Sequence, residues 1–366
     1  MWNYSLLNIY LSYISIKYDN LTNCINHLIN GDLVAFPTET VYGLGGNAFN
    51  INAIDNIFKV KERPNSDPLI VHIDKLSRLK EWNLVDISEE EYNLVELLAK
   101  KFWPGPLTII MKSSNKIPDL VTSGTGFVGI RIPNNQDTLK LIELSNIPIV
   151  GPSANKFAHV SPTTPSHVEY DFKDQQILTN PVYILNSEKI TSPKIGIEST
   201  IIKLESINEV NILRLGFITM DNLNDVLGNK VNIYINKMFK KTNDNVSSSG
   251  QFIKHYTVNC KTYLVKTNRN IMLEELPIQD NIAVIDIGKK KINEKIDYYD
   301  NLSEDNDIRT SLSNYYSKLR NFEIYNSNFK IVVLYIIVDV NIQNKIYDSL
   351  VDRIYRTSSG NILNLT

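Results

Sequence analysis

The chain has 366 residues, and its 38 Lys and Arg against 40 Asp and Glu give a formal net charge of −2, which argues against a globally basic nucleic-acid binder or a surface drawn to anionic membranes. Hydrophobic residues make up 43%, enough for a real core in one large domain or two ordinary ones. The two cysteines, Cys24 and Cys260, cannot supply a disulfide framework or a zinc site by themselves, and they fit reduced thiols in a cytosolic compartment.

The opening stretch MWNYSLLNIYLSYISIKYDN is apolar, lacks a basic leader and is broken by Asn8, Ser12 and Ser15; it reads as a strand or an ordered arm rather than a signal peptide. No window of about 18 uninterrupted apolar residues predicts a membrane span. Asn20 to Asn30 reads as a helix closed by Gly31, and Leu33 to Pro37 as a buried strand. Ala53 to Lys61 is helical by the spacing of Ile54, Ile57 and Phe58, and Leu69 to Ile73 is a strand. Glu89 to Phe102 predicts an amphipathic helix with Leu94, Leu97, Leu98 and Phe102 on one face. Leu107 to Met111, Val128 to Ile132, Pro148 to Val150 and Ser199 to Leu204 read as further strands. Strands interleaved with helices imply an α/β or α+β domain with a substantial sheet over residues 1–228. Residues 229–259, with KMFKKTNDNVSSSGQF, are polar and Ser-rich and read as an interdomain linker. Thr262 to Val265, Ile282 to Ile287 and Ile331 to Val338 then predict the strands of a small second α/β domain over 260–366. No internal repeat is visible.

Six clusters could carry chemistry, each with a plain structural alternative. FPTETVYGLGGN (36–47) offers the hydroxyls of Thr38, Thr40 and Tyr42 beside Gly43, Gly45 and Gly46; it is either a ligand cradle or a hairpin turn, and it fits neither the P-loop nor the dinucleotide spacing. Lys61 and Arg63, followed by Asp67 and His72, are either phosphate holders or a charged helix end favoured by the helix dipole, with His72 a core histidine. The run Lys101 to Thr108 reads as an aromatic helix end and a proline-stiffened turn. Ser123 to Gly126 leads into Gly129-Ile130-Arg131-Ile132-Pro133, where Arg131 in an apolar strand needs a partner: a bound carboxylate or phosphate, or an internal Asp or Glu. Gly151 to Asn155, then Ser161, follow a strand and either line a cleft or form a surface loop. Gly196 to Thr200 comes last, with Arg214 at the end of another strand.

In this order and spacing the segments FPTETVYGLG, KERPNSDPLIVHI, FWPGPLT, GIRIP, GPSAN and IESTII resemble the threonylcarbamoyl-AMP synthase family over about 200 residues. The resemblance implies a YrdC-like twisted mixed sheet with helices, and in the long form of the family a linker and a small C-terminal Rossmann-like α/β domain. Lys254-His255-Tyr256 resembles the linker motif of that form, and Asp352-Arg353-Ile354 with Arg356 resembles its final helix. The chain departs from the family at Asp67, usually Asn; at Phe127, usually Thr; at Arg214-Leu215-Gly216, usually Arg-Pro-Gly; and at Ser249 to Ile253, usually Pro-Gly-Met-Lys-Tyr.

What the resemblance implies is an L-threonylcarbamoyladenylate synthase, which uses L-threonine, bicarbonate and ATP and releases pyrophosphate. Lys61 and Arg63 would carry the catalytic charge. Asp67, Phe127, Ser153, Asn155, Ser161, Arg214, His255 and Tyr256 would join them in binding ATP, while Thr40, His72, Arg131, Gly151 and Ser199 would bind threonine. Mg2+ would accompany the triphosphate, with no all-protein metal site. The linker would act as a lid, and the product would pass to a tRNA threonylcarbamoyl transferase complex, with direct tRNA binding left open. The alternative in a different class is a non-catalytic nucleotide or double-stranded RNA binding module, which the mixed charge disfavours. A carbamoyl-transfer domain of a larger maturation factor would need acylphosphatase-like or zinc-finger segments, and two cysteines cannot build the latter.

Overall fold

The computed structural model of the chain describes residues 15–186, 195–235 and 253–366. Of the opening apolar stretch only its end falls inside these limits, and there it is a strand; residues 236–252 of the expected linker lie outside the described residues.

Eleven strands form the first sheet: β1 (Ile16–Asp19), β2 (Val34–Phe36), β3 (Gly43–Asn47), β4 (Ile70–His72), β5 (Leu107–Lys112), β6 (Phe127–Arg131), β7 (Ile149–Val150), β8 (Val182–Leu185), β9 (Thr200–Ser206), β10 (Glu209–Arg214) and β11 (Asn232–Ile235). Their order is β1-β8-β2-β3-β7-β4-β6-β5-β9-β10-β11, with parallel and antiparallel pairs mixed. Because β11 pairs in parallel with β10, the sheet runs past residue 228, and the first residues expected as linker are sheet edge. The second sheet holds β12 (Lys261–Thr267), β13 (Ile282–Asp286), β14 (Tyr298–Asn301), β15 (Val333–Asp339) and β16 (Ile362–Asn364) in the order β14-β13-β15-β12-β16. All of its pairs are parallel, as in a Rossmann-like unit.

The helices of eight residues or more are α1 (Leu21–Asn30), α2 (Ile51–Lys61), α3 (Glu89–Phe102), α4 (Gln136–Ser145), α5 (Pro165–Phe172), α6 (Met220–Leu227), α7 (Ile308–Phe329) and α8 (Lys345–Thr357). Local chemistry sets their ends. The Asn20 side chain caps α1, and Gly31 at φ 90° collects the His27 and Leu28 carbonyls. Ser88 and Glu91 form a capping box at the start of α3. One expected core position on α3 is corrected. Leu97 is 53% exposed, because at about 100° per residue it lies roughly 130° from the centre of the buried stripe of Leu94, Val95, Leu98, Ala99 and Phe102.

The two sheets do not stand apart. Val41, Val160 and Ile197 of the first domain pack into one core with Tyr256, Tyr315, Tyr316, Leu350 and Ile354. Gly196, at φ 76°, lets the backbone of α7 approach; a Cβ there would lie 2.5 Å from the Ser313 Cα. Charges also cross the interface. His159 sits 2.7 Å from Asp171 of α5 and 2.7 Å from Glu323 of α7. Arg320 of α7 pairs with Asp171 at 2.6 Å and donates to the Val160 carbonyl. Burial works against a proton on His159, but the two carboxylates win and raise its pKa to about 9. Thr257 N–H donates 2.8 Å to the Ala158 carbonyl, which ties the linker's end to the first domain beside His159.

Candidate active site

A cleft of about 520 Å3, its open mouth included, lies where the loop after β2, the ends of β4 and β6, the loop after β7, the start of β9 and the linker's His255-Tyr256 converge. The loop after β2 is held by Thr38, whose hydroxyl donates to the Val41 carbonyl at 2.6 Å and accepts from the Thr40 and Val41 amides. Gly151 faces it from the other side. A Cβ at residue 151 would lie 2.6 Å from the Phe36 ring and 3.1 Å from His72 Nδ1, so only glycine lets that backbone reach the cleft wall.

Three guanidiniums face the cleft. Arg131 is not a free cation awaiting a ligand: its Nη2 lies 2.8 Å from Glu39 and 3.0 Å from the Thr40 hydroxyl, and its Nε donates to the Gly105 carbonyl. The partner required by the apolar strand is therefore an internal carboxylate. Arg63 is paired with Asp67 at 2.9 Å and donates to the Asp67 and Pro68 carbonyls. Burial raises the Asp67 carboxyl to about 6, even though Arg63 and Lys61 pull it down. Arg214 has no carboxylate in ion-pair contact among the described residues. It donates from Nε to the Ser199 carbonyl at 2.9 Å and from Nη2 to the Ser199 hydroxyl at 3.0 Å. That hydroxyl is also shared with Thr108 at 2.8 Å.

Lys61 behaves differently from its sequence neighbour. It is 1% exposed and does not line the cleft. Its Nζ donates to the Ser153 carbonyl at 2.5 Å and to the Asn155 carbonyl. It therefore anchors the loop after β7 from beneath, and burial, aided by Arg63, drives its pKa well below the usual lysine value. Asp67, Asn155 and Ser161 also lie behind the cleft wall. Phe127 lies outside it, packed with Ile110, Ile201 and Leu213 under the Lys203 ammonium at 4.2 Å. Thr40, His72, Arg131, Gly151, Ser153, Ser199, Arg214, His255 and Tyr256 all come to the cleft with Arg63, although they are drawn from distant parts of the chain.

The sequence reading assigned no role to Glu198, Tyr316 or Arg353. Glu198 accepts from Ser161 at 2.6 Å, from the Tyr316 hydroxyl of α7 at 2.7 Å and from Arg353 of α8 at 3.0 Å. Burial would raise its carboxyl, but Arg353 and then Arg214 hold it down to about 2. A carboxylate inside the apolar run IESTII was the available signal, since a buried charge demands a partner. Several buried polar atoms at the cleft, His72 Nδ1, His255 Nδ1 and the Tyr256 hydroxyl, have no hydrogen-bond partner among the described residues. Burial, then Arg131, keeps His72 neutral with its pKa lowered to about 3; burial likewise depresses His255 and raises Tyr256 to about 12. Buried polar groups of this kind call for a partner, which a bound ligand or an ordered water can supply. Among the described residues no group of three or more His, Cys, Asp or Glu is arranged to hold a metal ion, and none of their helices is long and apolar enough to cross a membrane.

Residues 26–216 match a family model described as telomere recombination, and residues 218–359 match one described as threonylcarbamoyl-AMP synthase, C-terminal domain. A threonylcarbamoyl-AMP synthase of Pyrococcus abyssi is 39% identical over 264 residues, 72% of this chain and 72% of that protein. A Bacillus subtilis protein of the same name is 36% identical over 230 residues, 63% of this chain and 62% of its own length. Among solved structures, P. abyssi Sua5 complexed with L-threonine superposes with a TM-score of 0.78 at 28% identity, covering 96% of this chain and 99% of that one.

Proposed function

Since this chain belongs to the threonylcarbamoyl-AMP synthase family, we propose that it condenses L-threonine with bicarbonate and transfers the product to the AMP moiety of ATP. The threonine amine attacks the bicarbonate carbon and water leaves, giving a carbamate. A carbamate oxygen then attacks the α-phosphorus of ATP, the bond to the β-phosphate oxygen breaks, and pyrophosphate departs. ATP and bicarbonate are anions and threonine brings a carboxylate beside its reacting amine, and the observation that carries the reading is a cleft faced by Arg63, Arg131 and Arg214 with buried polar atoms that have no partner among the described residues around it.

Arg63 neutralises the phosphates from the cleft wall. Lys61 adds its charge from beneath the Ser153–Asn155 loop, and a bound triphosphate offsets the burial that lowers its pKa. Ser153 and Arg214 meet the nucleotide, with Asp67, Asn155 and Ser161 supporting from behind and His255 and Tyr256 closing over it. Phe127, outside the cleft, reaches the nucleotide only if the adjacent loop shifts. Thr40, His72, Gly151 and Ser199 hold threonine, with Arg131 presenting a guanidinium already aligned by Glu39. No side chain is assigned as an obligatory general base, because alignment of the carbamate and phosphate supplies most of the barrier reduction. Asp67, Glu39 and Glu198 are taken up by arginines, so Mg2+ would be held by the ATP phosphates rather than by these carboxylates, and it would supply charge to offset that of the departing pyrophosphate. The adenylate then serves a cytosolic tRNA threonylcarbamoyl transferase complex. The test is pyrophosphate release with and without L-threonine and bicarbonate. Release that requires both supports the reading. Nucleotide binding with no threonine-dependent release would leave a non-catalytic module instead.

A further inference from the structure

A carboxylate facing a site for anions works against binding unless something matches its charge. Two of the three cleft arginines are committed within the first domain, Arg63 to Asp67 and Arg131 to Glu39. That leaves Glu198 and Arg214, which both line the cleft. Among the described residues, Arg214 donates to the carbonyl and hydroxyl of Ser199 and pairs with no carboxylate. Glu198 is met from the other domain: Arg353 of α8 lies 3.0 Å away and is completely buried, and the Tyr316 hydroxyl of α7 shares the same oxygen; Arg353 also lies 3.1 Å from Asp352, whose charge Arg356 shares at 2.9 Å.

We infer that the second domain completes the anion site electrostatically: Arg353, with Tyr316, takes up the charge of Glu198 and leaves Arg214 uncommitted for the nucleotide. Arg353 is thus a positioning residue, acting on substrate through Glu198 and Arg214 rather than by touch. The inference rests on the ATP reading of the cleft. Three further observations agree with it. Glu198 stays ionised, held down to about 2 against its burial by Arg353 and Arg214, so its charge cannot be shed by taking up a proton near neutral pH. Without Arg353, the next largest cationic influence on Glu198 is Arg214, and the carboxylate would draw on it inside the cleft. The same Arg353 guanidinium stands 5.7 Å from the ring of Tyr256, which lines the cleft from the linker. One side chain of α8 therefore bears on the wall and the cover of the site together.

The test uses the full chain and its Arg353→Met, Arg353→Lys and Arg353→Met/Glu198→Gln variants. Affinity for a non-hydrolysable ATP analogue is measured by calorimetry, beside the KM for ATP. The charge argument expects Arg353→Met to weaken analogue binding roughly tenfold, Arg353→Lys to stay within about threefold, and the double variant to recover most of the loss. Thermal unfolding identifies a single variant that fails to fold; the other two, which keep the charge or remove the orphaned carboxylate, still decide the matter. Unchanged binding in Arg353→Met, a lysine variant as weak as the methionine one, or no recovery in the double variant overturns the inference and leaves the proposed synthase activity standing. Recovery of analogue binding in a chain that releases no pyrophosphate with threonine overturns the activity and leaves the inference. No nucleotide binding by the unaltered chain overturns both.

Discussion

Lys61 shows why a motif and a contact map say different things about one residue. Its sequence neighbourhood suggests a phosphate holder whose removal spares the fold, yet its ammonium satisfies the Ser153 and Asn155 carbonyls. Lys61→Met should therefore abolish threonine-dependent pyrophosphate release and also cost about 2–4 kcal/mol of stability, because two buried carbonyls lose their donor; pyrophosphate assay and denaturant unfolding on one sample read both. Arg131 makes the complementary case. Arg131→Ala leaves Glu39 buried and unpaired at a cost of about 3–5 kcal/mol, and Arg131→Ala/Glu39→Gln should regain much of that in equilibrium unfolding. A double variant no more stable than the single one would show that the pair is not the source of the loss. Residue identities at the site were legible where they sat on recognisable segments: Thr40, His72, Arg131, Ser199 and Arg214 all reach the cleft. Partners were not, because Glu39 and Arg353 are chosen by the fold, and Arg353 lies 155 residues from Glu198.

Among the elements, those with strong local signals were the readable ones. Helix α3 runs from Glu89 to Phe102 as its apolar spacing and the proline-stiffened turn after it predict, and the strand holding Arg131 stands out by its apolar run. Strand β3, GLGGN, offers almost no side-chain pattern, and β14 and β16 are short edge strands, so their pairing comes from the sheet and not from their own residues. The junction of α5 with α7 carries a pH signature. His159 is raised from 6.5 to about 9. A group whose folded pKa exceeds its unfolded value contributes stability that is complete below pH 6.5 and is lost as pH rises through about 9. The unfolding free energy should fall by roughly 2 kcal/mol across that window, and His159→Gln should start lower and change little. A parallel fall in both proteins would assign the pH dependence to other groups.

At the scale of the molecule, the two-domain division is visible in composition, but the depth of the join is not. Linker polarity suggests a tether between independent units, whereas Val41, Val160 and Ile197 share a core with α7 and α8. One cooperative unfolding transition is expected, with circular dichroism and tryptophan fluorescence giving coincident midpoints; two separated transitions would show domains that melt independently. The pairing of Glu198 with Arg353 also has a temporal meaning. A ribosome adding roughly 5–20 residues per second takes on the order of ten to thirty seconds to travel from one to the other. Throughout that interval the nascent first domain carries a carboxylate without its Arg353 partner and the bare apolar side chains that α7 and α8 later cover. Synthesis itself thus imposes a waiting period on this protein: nascent chains crowded on one messenger would expose the same adhesive face to each other, and a chaperone that shields Ile197 and its neighbours would be needed before α8 emerges rather than after.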